Sequence, residues 1–301
     1  MQNLITIPCL NHWAFTKLCI DSVLASTDSR RDRVLVFDNG STDPTSKGLQ
    51  VYGDKIQVHR EAQNIGVYHA LNKVMNDYLG EQNLIVVAND HVMLPGWVDK
   101  LLASESHLGL GAYSPMVIDT GVTDILRSYQ QRRNKMRNDW FNGKPNHERV
   151  DIIKRYLAEL YQPHGGMEKF RQAVVSQASS LTKPMHPWPG VCFYSNEVIR
   201  KVGFFDERYG MWGAADVDYF YRISGVFDFP CRLTYNDYAH HFGSITIRKA
   251  AVGYTDLGQQ DYSAKLVSKS TDLMLSTARA RALGGVNEYF YKGQLHRSKV
   301  K

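Results

Sequence analysis

Four short apolar runs in the first hundred positions each end abruptly in polar residues, and helically spaced stretches separate them. Leu4-Ile5-Thr6-Ile7, stopped by Pro8, reads as a first strand. Trp13 to Ala25 then has Phe15, Leu18, Cys19, Ser22 and Val23 on one side of a helix. Val34 to Phe37 is a second strand, followed by Asp38-Asn39-Gly40-Ser41-Thr42-Asp43-Pro44, where Gly40 permits an unusual backbone and Ser41, Thr42 or Asp43 can cap the helix that Pro44 opens. Ile56 to His59 and Leu84 to Val87 are the third and fourth strands. Gly66 to Leu79 and Gly96 to Ala103 are the helices that follow them. Strands joined by such short helical crossovers require right-handed βαβ units, and hence a mostly parallel central sheet flanked by helices.

The pattern changes beyond the strand at Leu110 to Val117. From 121 to 184 the chain is charged and aromatic, with Val150, Ile153, Leu157 and Leu160 at helical spacing and breaks at Asn142-Gly143-Lys144-Pro145 and Pro163-His164-Gly165-Gly166. It reads as an insertion of two or three helices. The buried pattern returns with a strand at Val191 to Tyr194, a helix over Asn196 to Val202, another over Asp216 to Ile223, and a short edge strand at Arg232 to Tyr235. From Thr246 the chain reads as polar and helical, and the basic tail Lys292 to Lys301 as disordered. The predicted division is 1–118, 119–186 (the insertion), 187–247 and 248–301.

Composition changes this picture little, except in charge. With 43% hydrophobic and 22% charged residues, the 301-residue chain is ordinary for a globular protein. Residues 121–184 carry twelve Lys or Arg against six acids, an excess equal to the net charge of +6. Such a segment either steers an anionic partner or is a solvated helical face. The four cysteines form no CxxC pair, which gives neither a zinc site nor a disulfide framework. No apolar run approaches the ~20 residues of a membrane span and no signal peptide is evident, so the expected location is cytoplasmic.

Candidate chemistry lies at the strand ends, because open α/β sheets bind ligands beyond the carboxyl ends of their strands. The fourth strand runs straight into Asn89-Asp90-His91. A carboxylate there suits Mg²⁺ or Mn²⁺, and His91 adds nitrogen character that leans towards Mn²⁺. A polar strand end also serves as a turn, which Leu94-Pro95-Gly96 would equally explain.

Eight segments in order resemble the inverting nucleotide-sugar glycosyltransferases of family 2, which have the GT-A fold. They are Ile7-Pro8-Cys9-Leu10-Asn11; Asp38 to Asp43; Asn64-Ile65-Gly66 with Ala70-Leu71-Asn72; Asn89-Asp90; Pro189 to Phe193; Val202 to Glu207; Trp212-Gly213-Ala214-Ala215-Asp216-Val217-Asp218; and His240-His241-Phe242-Gly243-Ser244-Ile245-Thr246. The resemblance covers about 1–118 and 187–247. It implies a nucleoside diphosphate sugar donor, UDP-linked, with Pro8, Leu10 and Asn11 by the nucleoside and Asp38 on its base or ribose. Asn64, Gly66, Asn89, Trp212 and Gly213 join that binding set.

The resemblance also implies that Asp90, with His240 or His241, binds Mn²⁺ or Mg²⁺ across the diphosphate, and that Asp216 is the catalytic base. Asp218, about 200° round the helix from Asp216, would brace the loop or cap the helix. Trp188 and Trp212 flank the acceptor side. The acceptor is a glycan or, given the basic insertion, a hydroxyl-bearing modified DNA base, with Arg132, Arg133 and Arg137 as its contacts.

The chain departs from the pattern twice, with Ala88 in place of the first metal-motif Asp and Ala215 in place of the Glu before the base. These departures support the rival reading, a non-catalytic nucleotide-sugar- or nucleic-acid-binding protein. Retention of Asp90, Asp216 and the histidine pair argues for the enzyme. A nucleotidyltransferase would need a glycine- and basic-rich loop after the first strand, and Asn11-His12-Trp13 is not one.

Overall fold

In the computed structural model, which describes residues 2–141, 148–210, 214–243 and 275–300, the first apolar run becomes a central strand of a seven-stranded sheet. Strand β1 (Asn3–Cys9) pairs in parallel with β2 (Asp32–Asp38) and with β4 (Asn83–Val87), and β2 pairs with β3 (Gln57–Arg60). The helices α1 (Trp13–Leu24), α2 (Thr45–Leu49) and α3 (Val67–Asp77) make the crossovers. Pro8 does not end β1. Pairing to β2 continues through Cys9 while pairing to β4 stops at Thr6, so the proline falls where one flank is open, and its missing N–H is tolerated there.

Beyond β4 come the short strand β5 (His91–Val92), helix α4 (Trp97–Leu108) and strand β6 (Ala112–Met116). The insertion is three helices, α5 (Asp124–Phe141), α6 (Val150–Tyr161) and α7 (Met167–Ala178). Strand β7 (Val191–Tyr194), helices α8 (Asn196–Val202) and α9 (Ala215–Tyr221), and strands β8 (Cys231–Tyr238) and β9 (His240–His241) follow. The sheet order is β3-β2-β1-β4-β7-β6-β8, with β7 alone antiparallel to its neighbours.

The alternation along β1 divides the core. Ile5 and Ile7 pack with Cys19, Ile20 and Val23 of α1 and Trp97 and Leu101 of α4, whereas Leu4, Leu35, Phe37 and Leu84 pack under α3, α8 and α9. A third cluster joins the insertion to the sheet edge and to Phe15 and Leu18 of α1. Leu126, Tyr129, Met136, Ile153, Leu160 and Phe170 meet Leu233 and Tyr238 of β8. The insertion is thus packed on its apolar side, and two of its arginines, Arg133 and Arg137, are buried rather than solvated.

The C-terminal tail is ordered. Strands β10 (Val286–Tyr291) and β11 (Gln294–Lys299) form an antiparallel hairpin whose turn has positive φ at Lys292 and Gly293, as a two-residue hairpin turn requires. Residues 275–283 are helical. The helical expectation for the stretch after Thr246 is corrected at 284–291, which are a turn and strand β10, and the remainder, 246–274, lies outside the described residues. No helix among the described residues is long and apolar enough to cross a membrane.

Helix α9 is fixed from behind by a buried ion pair. Arg222 Nε bonds Asp218 Oδ2 at 2.9 Å, while its Nη1 and Nη2 donate to the carbonyls of Val202 and Phe204 at 3.0 and 2.8 Å. Asp218 is therefore the brace that its helical position opposite Asp216 predicts. Arg222→Ala, which leaves a buried carboxylate without its cation, is expected to lower stability by about 3–5 kcal/mol in chemical denaturation. A change below about 1 kcal/mol, the scale of exposed pairs, would overturn this account.

Candidate functional site

The carboxyl ends of β1, β2 and β4 share one rim of the sheet, and β7, running the other way, brings the residues before its first position to the same rim. Ala88 N donates to the Gly190 carbonyl at 2.7 Å, closing β4 onto the Trp188-Pro189-Gly190 approach to β7. Between them lies a cavity of about 300 Å³. Its walls include Pro8 of β1 and Leu10 just beyond it, Asn39 and Asn64, Asn89 and Asp90, Trp188, Asp216 and His241.

The β2 side of this cavity is built by amide bonding. Asn39 Nδ2 donates to Asn64 Oδ1 at 2.8 Å, and the Gly66 N–H donates to the same oxygen at 2.9 Å. Gly40, at φ +83°, lies so close that a Cβ would sit 2.6 Å from the Gln63 backbone. Asp38 and Asn11 stand behind this wall. Asp38 is fully buried, takes the Ser41 N–H at 2.8 Å and is ion-paired to Arg60. Asn11 Oδ1 takes the Thr42 N–H at 2.8 Å, and Asn11 and His12 both hold left-handed backbone. Asp43 Oδ1 takes the Thr45 N–H at 2.9 Å, while Pro44 holds the N-cap position of α2 without a side-chain cap. Asn89 is held to α1 through Thr16 Oγ1 at 2.9 Å. Trp212, Gly213 and Ser244 to Thr246 lie outside the described residues.

A two-residue ladder makes the electrostatic centre. In β5 and β9, His91 is registered opposite His241, and their rings stack with centroids 4.5 Å apart. Asp90 lies against both, with Oδ2 3.3 Å from His241 Nε2 and Oδ1 3.2 Å from His91 Nδ1. These three residues each offer a ligand atom, and all three atoms lie within 4.8 Å of one another.

His240, one position before His241, faces the other way, as alternate strand residues must. Its Nδ1 meets Tyr161 Oη at 2.6 Å inside the aromatic cluster of the insertion. The expectation that His240 could complete a metal site with Asp90 is therefore corrected.

The partners assign the charges. Burial alone would raise the Asp90 carboxyl, but the His241 and His91 imidazoles hold it well below the usual carboxylate range. Burial would likewise lower His241, yet Asp90 and Asp119 raise it to about 9, so without a metal it is an imidazolium between two carboxylates. Its Nδ1 lies 2.6 Å from Asp119 Oδ2. His91 is lowered, first by burial and then by the His241 charge. As a neutral ring it accepts from Trp188 Nε1 at Nε2, 3.1 Å, and turns Nδ1 to the Ala88 carbonyl and Asp90.

Asp216 faces the same cavity from the first turn of α9 in a different setting. Burial raises its carboxyl, and the Val217 N–H, at 2.9 Å from Oδ1, the Tyr68 hydroxyl and its own backbone N–H offset this in part. The site thus contains one carboxylate held ionised by imidazoles and a second whose pKa desolvation raises.

A buried carboxylate beside an imidazole suits a borderline divalent cation. Asp90 and His241 Nε2 have that disposition. His91, whose Nε2 lone pair is taken by Trp188, fixes the carboxylate between them. Tyr68 and Asp119 are absent from the sequence-based set of site residues, and Arg133 appears there only as an acceptor contact. Asp119 follows β6 as Asp90 follows β4, so its strand-end position was the available signal. Tyr68 lies in the first turn after Asn64-Ile65-Gly66.

Solved structures with a similar fold include glycosyltransferases of the GT-A type. The mannosyltransferase PcManGT from Pyrobaculum calidifontis, in complex with GDP-Man and Mn²⁺, is 14% identical with a TM-score of 0.53, over 94% of this chain and 73% of that one. The glucosyl-3-phosphoglycerate synthase of Mycobacterium tuberculosis, with Mn²⁺, UDP-glucose and phosphoglyceric acid, is 16% identical with a TM-score of 0.51, over 100% of this chain and 87% of that one. Residues 4–166 match the family described as glycosyl transferase family 2, and the chain belongs to that family. No curated protein sequence matches it.

The geometry separates the two adjacent histidines by experiment. In a Mn²⁺ titration followed by electron paramagnetic resonance, His241→Gln is expected to weaken binding at least about tenfold, whereas His240→Gln leaves it within about twofold of wild type. Equal losses in both would overturn the assignment of the ring directions.

Proposed function

We propose that this family 2 glycosyltransferase moves a sugar from a nucleoside diphosphate donor, UDP-linked, to an acceptor hydroxyl with inversion, using Asp216 as the general base. The observation that carries this reading is the pair of unlike carboxylates, Asp90 and Asp216, on one cavity. An alcohol is a weak nucleophile at neutral pH, so the acceptor needs a carboxylate that accepts its proton as it attacks. Asp216, undercompensated by hydrogen bonds and raised by burial, suits that task; Asp90, fixed as an anion, does not.

In the proposed reaction the acceptor oxygen bonds to the anomeric carbon as its proton passes to an Asp216 oxygen. The bond from that carbon to the diphosphate oxygen breaks on the opposite face, and a single displacement inverts the centre. Asp90 and His241 would hold Mn²⁺ or Mg²⁺; when bound, such an ion offsets the charge growing on the departing diphosphate. The one-carboxylate, one-imidazole set fits it and favours Mn²⁺.

On this reading 1–118 carries the donor, with Pro8, Leu10, Asn64 and Asn89 along the cavity and Asp38, Asn11 and Gly66 shaping its wall. Residues 187–247 carry the base. Trp212 and Gly213 keep their proposed donor-side role from the sequence motif. The acceptor is a hydroxyl on a glycan or a modified DNA base. Arg133 and Arg137, buried and bonded within the protein, are not available to contact it.

The test is release of nucleoside diphosphate from a panel of donor sugars, with and without Mn²⁺, offering glycan and hydroxymethylated-DNA acceptors in separate arms. One donor should turn over with metal, and Asp216→Asn should cut kcat by about 10²–10⁴. Donor binding without turnover in any arm would sink the transferase reading and favour a binding protein.

The pH profile gives a second check. A base works only ionised, so the rate falls as pH drops through the Asp216 pKa, and that acid limb lies above an ordinary aspartate's. Tyr68→Phe removes a donor that favours the ionised form, so the limb should move further up. A limb that stays fixed would exclude Tyr68 from holding the base.

A further inference from the structure

The helical insertion reaches the metal centre through a chain of charged contacts that neither the family nor the sequence motifs assign. Asp119, in the turn after β6, places Oδ2 2.6 Å from His241 Nδ1. Behind it, Arg133 of α5 holds the same carboxylate with both arms, Nη1 to Oδ2 at 2.5 Å and Nη2 to Oδ1 at 2.8 Å. Arg133 Nη1 also lies 3.3 Å from the His241 carbonyl, and one helical turn on Arg137 Nη1 donates to the Gly243 carbonyl at 2.5 Å. The backbone is fitted to these two side chains. Gly243 has φ +81°, and a Cβ there would sit 2.6 Å from Arg137 Nη1 and 3.0 Å from Arg133 Cζ.

We propose that Asp119 and Arg133 are positioning residues of the metal centre, and that the insertion exists in part to supply them. The proposal deepens the function given above and rests on its metal reading. A histidine ligand must present one nitrogen and dispose of the other, and a carboxylate on the far nitrogen fixes both the tautomer and the ring's direction. Asp119 takes Nδ1–H, which leaves Nε2 as the atom facing Asp90. A lone carboxylate in that place would itself swing, and the bidentate Arg133 fork stops it, as planar guanidinium–carboxylate geometry allows and a lysine would not. The same arginines grip the carbonyls on either side of Phe242, so the ligand's backbone and ring are held from one helix.

Chemically, the arrangement compensates for Ala88. Where only one strand-end carboxylate remains, the nitrogen ligand carries a larger share of the affinity and its orientation matters more. The buried pair is then not a general staple of the fold but a device acting on one ring.

The test uses the whole protein and Mn²⁺ alone, without donor, and reads binding by electron paramagnetic resonance together with the ¹⁴N echo modulation of a coordinated imidazole. Wild type should show both Mn²⁺ binding and the imidazole signal. Asp119→Asn should weaken Mn²⁺ about 10–100-fold and Mg²⁺ much less, because Mg²⁺ depends little on nitrogen. The imidazole signal should shrink or vanish with it. Arg133→Met should follow Asp119→Asn, while Arg133→Lys, which keeps the charge but not the fork, should fall between.

Thermal denaturation of each variant controls for folding. If Asp119→Asn melts like wild type and keeps the full Mn²⁺ affinity and ¹⁴N signal, the positioning role is wrong. A variant that melts early with unchanged binding would also overturn it, as a purely structural pair. Should wild type bind no Mn²⁺, the metal reading itself fails, a result separate from the other two.

Discussion

The site depends on the removal of one carboxylate, Asp90, from water. Its side chain is 6% exposed, and an anion so buried is tolerated only beside positive or polarised partners. Asp90 sits in the turn between β4 and β5. Its nearest such partners are His91, one residue on, and His241, delivered by a strand of two residues that pairs with β5. The demand of a single anion therefore determines where β9 docks, which ring direction His241 adopts and why Asp119 stands behind it. The resulting line alternates in sign from Asp90 through the His241 imidazolium and Asp119 to Arg133. Each member offsets the burial of the next.

Beside this line, Asp216 is governed by the opposite condition. Its helix is fixed at the back by Asp218 and Arg222, so its carboxyl is placed firmly, yet among the described residues no cation pairs with it. Position and charge compensation are supplied by different residues. A group arranged in this way is stable in place but ready to take a proton. Two carboxylates of the same kind on one cavity thus acquire different chemistry from their neighbours alone.

The fold was legible because buried parallel strands are nearly continuous apolar runs, and β1, β2 and β4 are such runs. Pro8 was misread as a stop because a local rule cannot tell which flank of a strand is open. The tail was misread because its charges masked an alternating strand, although Lys292-Gly293 is a turn signal in its own right. At the site, Asp90, His241 and Asp216 were recoverable from motif order. His240 was kept beside His241 because adjacency in sequence was taken for adjacency in space, whereas a strand sends neighbours to opposite faces. Arg133 was assigned to the acceptor rather than to the site for another reason. In sequence it is one of twelve cations in a basic helical segment, and only its depth distinguishes it from those in solvent.

Asp119 and His241 are 122 positions apart, and this spacing bears on synthesis. A ribosome releases the donor-side strands and the whole insertion well before β9 emerges. Until then Asp90 lacks its imidazolium and the cavity lacks a wall, so the emerging chain has a sheet but no centre. Strand β9 completes the charge line, and a chain broken off before residue 241 would lack the imidazole that faces Asp90. The centre is thus tied to the order of synthesis: its counter-charge follows most of the core residues along the chain.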